Sequence, residues 1–264
     1  MLRLVRDLGG CALAAALAAS AAAASAAAPT PARVGDGFVD ASRLRPYDNA
    51  FIVTMTLADG RSIQPGIWSD QLRLRTVDGR QVFVRTQGLA YFNGTIMSSV
   101  NVFDPITFAP ISNVQNNPDG SRERWSFRGL AVEGHLTGAG PGARETVQAL
   151  SLASPAYDFN CCMRSLLPAA VRLRVGQTFI VPAVEAAGDP HEIIYHVVAR
   201  ERVRAGYRGM IPAWLVRTDG PGGGTISFWI ADTPPYLVRM TLTGIPANRD
   251  SRGVHYDQSF DMLG

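Results

Sequence analysis

The sequence predicts a mainly β protein: a curved antiparallel sheet, half-barrel or clam-like, with one short amphipathic helix packed against it. Three observations carry this. Apolar and polar residues alternate in short runs, as strands with one buried face require. Four Asp-Gly pairs, at Asp59-Gly60, Asp78-Gly79, Asp119-Gly120 and Asp219-Gly220, fall beside those runs, and Asp-Gly tolerates the positive φ of tight hairpin turns. One segment alone carries a helical period.

The elements follow in chain order. Residues 1–26 read as an export signal: Arg3 and Arg6 give the positive start, Leu8 to Ala19 the apolar stretch, and Ala24-Ser25-Ala26 a small-residue cleavage site. Leu8-Gly9-Gly10-Cys11 looks like a lipobox, but the apolar segment follows Cys11 instead of ending at it. The mature chain is therefore expected in a bacterial periplasm. Residues 27–47, opening with Pro-, Ala- and Gly-rich text, are expected as a flexible leader. Residues 48–264 are expected as a single antiparallel β domain.

Alternation predicts strands at Phe51–Leu57, Gln71–Val77, Gln81–Arg85, Arg122–Arg128 and Thr225–Ile230. Further strands are expected at Leu130–Leu136, Glu145–Leu152, Glu192–Arg200, Pro212–Arg217 and Tyr236–Thr243. Between them, Phe159, Cys162, Met163, Leu166 and Leu167 fall on one face at helical spacing, with Asp158 as the expected cap and Pro168 as the stop. Such a helix packs on an open sheet face or lids a cavity, and the same residues serve either. On the strand ending at Arg128, Arg122, Arg124 and Arg128 point one way, Trp125 and Phe127 the other.

Composition bounds the function. The chain has 264 residues, of which 47% are apolar and 18% charged, enough to build a packed core. Disorder is excluded for most of the chain, since low hydrophobicity and high net charge are both missing. A polytopic membrane protein is excluded, since a long apolar run occurs only at the N-terminus. Net charge is +3 and every basic residue is Arg. The absence of Lys removes Schiff-base chemistry, P-loop lysines and Ser-Lys dyads. So small a charge excess is a poor footprint for nucleic acid, and none is expected as a partner.

A search for catalytic residues finds no constellation. His191-Glu192-Ile193-Ile194-Tyr195-His196 has one residue too many for a zincin, and odd strand spacing places its histidines on opposite faces. Glu133 and His135 share a strand face. No Gly-x-Ser-x-Gly elbow is present, and no cofactor or metal site is expected. Cys161 and Cys162 read as small buried hydrophobes or as a redox pair, and adjacency denies them any long-range staple.

Several motifs in order carry a resemblance. They are Val102-Phe-Asp104-Pro-Ile-Thr107-Phe-Ala-Pro110-Ile-Ser112 with Asp119-Gly120, then Ala156-Tyr157-Asp158 through Leu167-Pro168 and Val175-Gly176-Gln177. The closing strands add Ala199-Arg-Glu201-Arg-Val203, Ala213-Trp214-Leu-Val216, Ile226-Ser-Phe-Trp229-Ile230 and Pro235-Tyr236-Leu-Val238-Arg239. Together, over residues 48–243, they resemble the exported bacterial proteins of the DUF3108 family, distantly akin to the lipoprotein-carrier fold. The resemblance implies a partly closed antiparallel barrel with a helix on its concave side, and in the carrier relatives a concavity for acyl chains. It supplies no catalytic residues. Cys161-Cys162 departs from the usual form of the helix.

The expected function is thus a non-catalytic periplasmic carrier for a hydrophobic or amphiphilic envelope ligand or lipid. Its expected lining is Trp68, Phe83, Trp125, Phe127, Met163, Leu166, Trp214, Phe228 and Trp229. An enclosed apolar volume of roughly 300 Å³ or more would match a small-molecule site. The rivals are an envelope-acting hydrolase using His135, His196 or His255, and an assembly protein pairing with an envelope partner through a strand edge.

Overall fold

The computed structural model describes residues 28–185, 190–249 and 253–263. The expected signal segment 1–26 lies outside them, as do the side chains of Cys161 and Cys162. The first half of the chain forms β1 (Thr30–Pro31), β2 (Tyr47–Leu57), β3 (Ser62–Val77), β4 (Arg80–Tyr91) and β5 (Ile96–Phe103). It continues through β6 (Pro110–Asn116), β7 (Arg122–Arg128), β8 (Ala131–Thr137), β9 (Glu145–Ser151) and β10 (Tyr157–Asp158). The second half adds β11 (Thr178–Val184), β12 (His191–Arg204), β13 (Met210–Asp219), β14 (Thr225–Ile230), β15 (Leu237–Thr243) and β16 (Tyr256–Met262).

These strands make one curved sheet that does not close into a barrel. Its order runs β1-β11-β12-β13-β14-β15-β16-β2 and on in sequence to β9, with β10 paired beside β11. Neighbours are antiparallel apart from β1 and β10, which run parallel to β11. The two halves join where β16 pairs with β2, Phe260 opposite Val53. The hairpin chemistry is as expected between β3 and β4, where Asp78 and Gly79 both take positive φ and Val77 faces Arg80. Asp219-Gly220 does lie between β13 and β14, but there the positive φ falls on Gly222, Gly223 and Gly224.

The concave side is packed with rings. Phe83, Phe103, Phe108, Tyr157, Phe159, Tyr195 and Phe179 form a chain of aromatic contacts with centroids 4.5–6.5 Å apart. Such tilted and edge contacts add to the burial of the rings themselves. Phe108 enters this chain through a turn in which the Asp104 carboxylate accepts the N–H groups of Ile106 and Thr107, both at 2.9 Å. Phe108 itself has φ of 60° and is fully buried, against Phe103 at 4.5 Å. Burial of the ring offsets the cost of the left-handed backbone.

Two expectations need correction in part. The short helical segment expected after β10 is present, but as two consecutive 3-10 turns, Asn160–Ser165 and Leu167–Ala170, closed by bonds such as Leu166 N–H to Met163 C=O. Asp158 is no cap: it lies in β10, buried, and accepts from the Asn101 amide at 3.2 Å. Pro168 sits inside the second turn instead of ending the helix. Met163, Leu166, Leu167 and Ala170 are all buried in the core, so the expected apolar face is kept in the tighter winding.

Nor is the stretch 28–47 a flexible leader. β1 pairs with β11, and Ala32, Val39, Ala41 and Leu44 are buried in the main core. The Tyr236 hydroxyl accepts the Arg45 N–H at 2.8 Å and so ties the stretch to the start of β15. Its apolar residues are too widely spaced for a strand or helix pattern, and only docking onto the finished sheet buries them.

A smaller cluster, Trp125, Phe127, Val132, Leu152, Ala156 and Val184, fills the β7–β8 end. There Gly134 lies flat against Trp125, and a Cβ at that position would stand 2.5–2.7 Å from three indole atoms. Gly134→Ala should cost about 1–3 kcal/mol, the range for overpacking a filled core. Urea unfolding monitored by circular dichroism checks it, and an unchanged midpoint would refute it.

Candidate functional site

One end of the concave face stays open. A cavity of about 460 Å³ lies there, between the 3-10 turns and the sheet, toward the loops 219–224 and 244–249. One wall comes from β2 to β5 through Met55, Trp68, Leu89, Tyr91 and Met97. Alternation places Leu89 and Tyr91 on the same face, and the register sets Leu89 beside Met97 and opposite Trp68. The other wall is Ile226 and Phe228 of β14, Met240 and Leu242 of β15, and Phe260 of β16. Trp68 is held by Phe51 at 4.9 Å, stacked, and by Phe260 at 5.2 Å, edge-on.

The roof is Phe159, Arg164 and Ser165, and its anchor is a buried ion pair. Arg85 of β4 donates through Nε and Nη2 to the Asp70 carboxylate of β3 at 2.8 and 2.6 Å. The side chains are 0% and 1% exposed. Arg85 also donates to the Ser165 hydroxyl at 3.1 Å, and the Tyr47 hydroxyl donates to Asp70 at 3.1 Å. Burial holds the Tyr47 phenol well above its ordinary range, with Arg85 opposing and Asp70 adding to that shift. The turns are therefore clamped to the sheet by charge-assisted bonds in a medium without water, where they are strong.

At the loop end the wall turns polar. Arg164 donates from Nε to Glu185 at 2.7 Å and from Nη1 to the Asp219 carbonyl at 3.2 Å. Asn248 completes this end; its amide nitrogen is out of contact with solvent and has no hydrogen-bond acceptor. Tyr256, whose N–H donates to the Asn248 carbonyl at 3.1 Å, and Gln258 stand beside it. Burial, and then proximity to Tyr256, raises the Tyr91 phenol above its ordinary range.

Of the nine residues expected to line a site, the fold brings Trp68 and Phe228 to this cavity. Met163 and Leu166 are buried in the same core behind the roof. Phe83 packs on Phe103 at 5.6 Å, and Trp125 and Phe127 belong to the smaller cluster. Trp214 and Trp229 are partly exposed. Arg200 lies over the first at 4.5 Å and Arg239 over the second at 5.3 Å, and their indole N–H groups donate to Asp232 and Glu201. Trp229 follows Phe228 in a strand, so the two face opposite ways. Sequence reading missed Met55, Leu89, Tyr91, Met97, Met240 and Leu242. Strand parity with Trp68 and Phe228 was the signal available for them.

The histidines are scattered. His135 bridges Glu145 and Glu133, each at 2.9 Å, on a half-exposed patch of β8 and β9. His196 meets Thr178 at 3.2 Å, and His255 is 3.5 Å from Asp257. None of these three lines the cavity. Among the described residues no cluster of His, Cys, Asp or Glu could hold a metal ion, and no helix is long and apolar enough to cross a membrane.

The bond to Glu145, then that to Glu133, raises the His135 imidazole above 6.5. A raised value stabilises the fold fully below the unfolded value near 6.5, and that contribution is lost as pH climbs through the higher folded one. NMR titration should therefore find His135 with a midpoint above 6.5, lowered by Glu145→Gln. A midpoint unmoved by that change would refute the bridge.

Comparison with known proteins bears on the fold. The family model described as "Protein of unknown function (DUF3108)" matches residues 69–243. A crystal structure of a β-barrel-like protein of domain of unknown function DUF1849 from Brucella abortus matches at 12% identity and a TM-score of 0.49. That match covers 83% of this chain and 96% of the other. No curated protein matches the sequence.

Proposed function

Since this chain belongs to the DUF3108 family, proteins of unknown function, we propose a role from its own residues: it binds a hydrophobic or amphiphilic cell-envelope ligand in the cavity beside Trp68. The single observation behind this reading is about 460 Å³ of space walled mainly by apolar side chains, in a sheet whose other interior is filled by rings. That volume is within the usual small-molecule range of roughly 300–1,000 Å³. Apolar burial drives such binding without directed chemistry.

Export to a periplasm, read from residues 1–26, belongs to the same proposal and places the protein where such ligands occur. The rival hydrolase was expected to use His135, His196 or His255, and none of these three lines the cavity.

Protein made with its own leader should carry lipid detectable by mass spectrometry. An added acyl probe should shift the tryptophan emission, and Trp68→Phe should remove most of that response, because Trp125, Trp214 and Trp229 lie away from the cavity. Absence of copurified lipid together with an unchanged spectrum would sink the proposal.

A further inference from the structure

We propose that the cavity selects amphiphiles whose head is uncharged and rich in oxygen acceptors, such as an ester, amide or hydroxyl, over carboxylates and amines. This rests on the binding role proposed above and names the chemical class that the polar end accepts.

The charged groups at the wall are already matched. Arg164 and Glu185 hold each other at 2.5–2.7 Å, and Arg164 spends a further donor on the Asp219 carbonyl. A carboxylate head would have to compete with Glu185 for Arg164, and an ammonium with Arg164 for Glu185. Either exchange leaves one wall charge without its partner beside apolar side chains, which is strongly unfavourable. An ionic head that exchanged with neither would be stripped of water without compensation.

Neutral donors remain for a neutral head. The Asn248 amide nitrogen is shielded from solvent and has no acceptor among the described residues, and a buried donor in that condition is costly. The terminal torsion of Asn is broad, so a small turn offers the N–H groups to a ligand oxygen. The Tyr91 hydroxyl, kept protonated by burial and by Tyr256, and the Gln258 amide face the same end. A ligand oxygen there satisfies the donor while Leu89, Met97, Ile226 and Met240 take the chain.

The test titrates the full exported protein at pH 7 with three probes of one chain length, followed by Trp68 fluorescence. They are the glycerol monoester of a fatty acid, the free fatty acid and the corresponding alkylamine. The expected result is an ester bound about tenfold or more tightly than either ion, a ratio worth about 1.4 kcal/mol. Asn248→Leu should weaken the ester about fivefold or more and leave the affinity of each ion within about twofold of its parent value, because an ionic head does not depend on that donor. Tyr91→Phe, which removes a single hydroxyl, should narrow the ratio in the same direction and guards against poor folding of the first variant. Equal affinities in the parent protein, or tighter binding of either ion, overturn the head-group selection and leave binding in the cavity standing. No response to any of the three overturns both.

Discussion

Arg85→Ala is expected to lower the unfolding free energy by about 3–5 kcal/mol, the range for removing one partner of a buried ion pair. Asp70 would be left as a carboxylate at 1% exposure, held by the Tyr47 hydroxyl without its guanidinium. The Ser165 hydroxyl would lose its Arg85 donor at the same time, so the roof over the cavity should loosen together with the fold. Urea unfolding measures the first effect, and hydrogen exchange over residues 163–171 the second. The double variant Arg85→Met with Asp70→Leu should recover most of the loss, because two apolar groups of similar bulk need no pairing. Should the single and double variants be equally destabilised, the ion pair is not what holds the turns.

Leu89→Trp is the second large effect, and it separates function from stability. Leu89 lines the cavity, so an indole there has space to enter and should cost less than about 1.5 kcal/mol, as a tolerated change does. Affinity for an apolar probe should nevertheless fall at least about tenfold, because the guest and the ring claim the same volume. Val181→Trp serves as the contrast: Val181 is fully buried in the main core and pairs with Ile193, and neither is in the cavity wall. Overpacking there should cost about 1–3 kcal/mol or more and leave the cavity's shape intact. Equal stability losses in the two variants would show that the space beside Leu89 is already occupied.

The same polar interior explains why parts of the sheet escaped sequence reading. β5 and β6 were not expected, although both are regular strands. Their inward residues include Ser99, Asn101 and Asn113, each buried to about 1% exposure. Alternation of hydrophobicity cannot register a strand whose buried face is polar. Arg85 and Gln87 hide in the same way within β4, flanked by inward Phe83 and Leu89. β16 reads Tyr-Asp-Gln-Ser-Phe-Asp-Met, and its inward Tyr256 and Gln258 serve the cavity instead of the core. Of the residues that obscure the strand pattern, Arg85 anchors the roof and Tyr256 and Gln258 line the cavity.

The hairpin chemistry and the alternating faces of β2, β3, β7, β12 and β14 were decided locally. Turn dihedrals and side-chain direction depend on residues adjacent in sequence, and Asp78-Gly79 or Trp125-Ser126-Phe127 carries that information whole. Trp214 and Trp229, expected inside and found partly exposed beneath arginines, mark where local pattern stops. Whether stretch 28–47 docks, whether Arg85 finds Asp70, and whether Trp68 meets Phe228 across an unfilled space all depend on strands brought together from opposite ends of the chain. β16 pairing with β2 makes that junction, with more than two hundred residues of register behind it. Sequence alone therefore determined the strands whose buried face is apolar and alternating, but not β5, β6, β11 or β16. Only the curvature and closing register of the whole sheet decided which of those faces meet and where space is left, because volume belongs to the assembled walls and to no single run of residues.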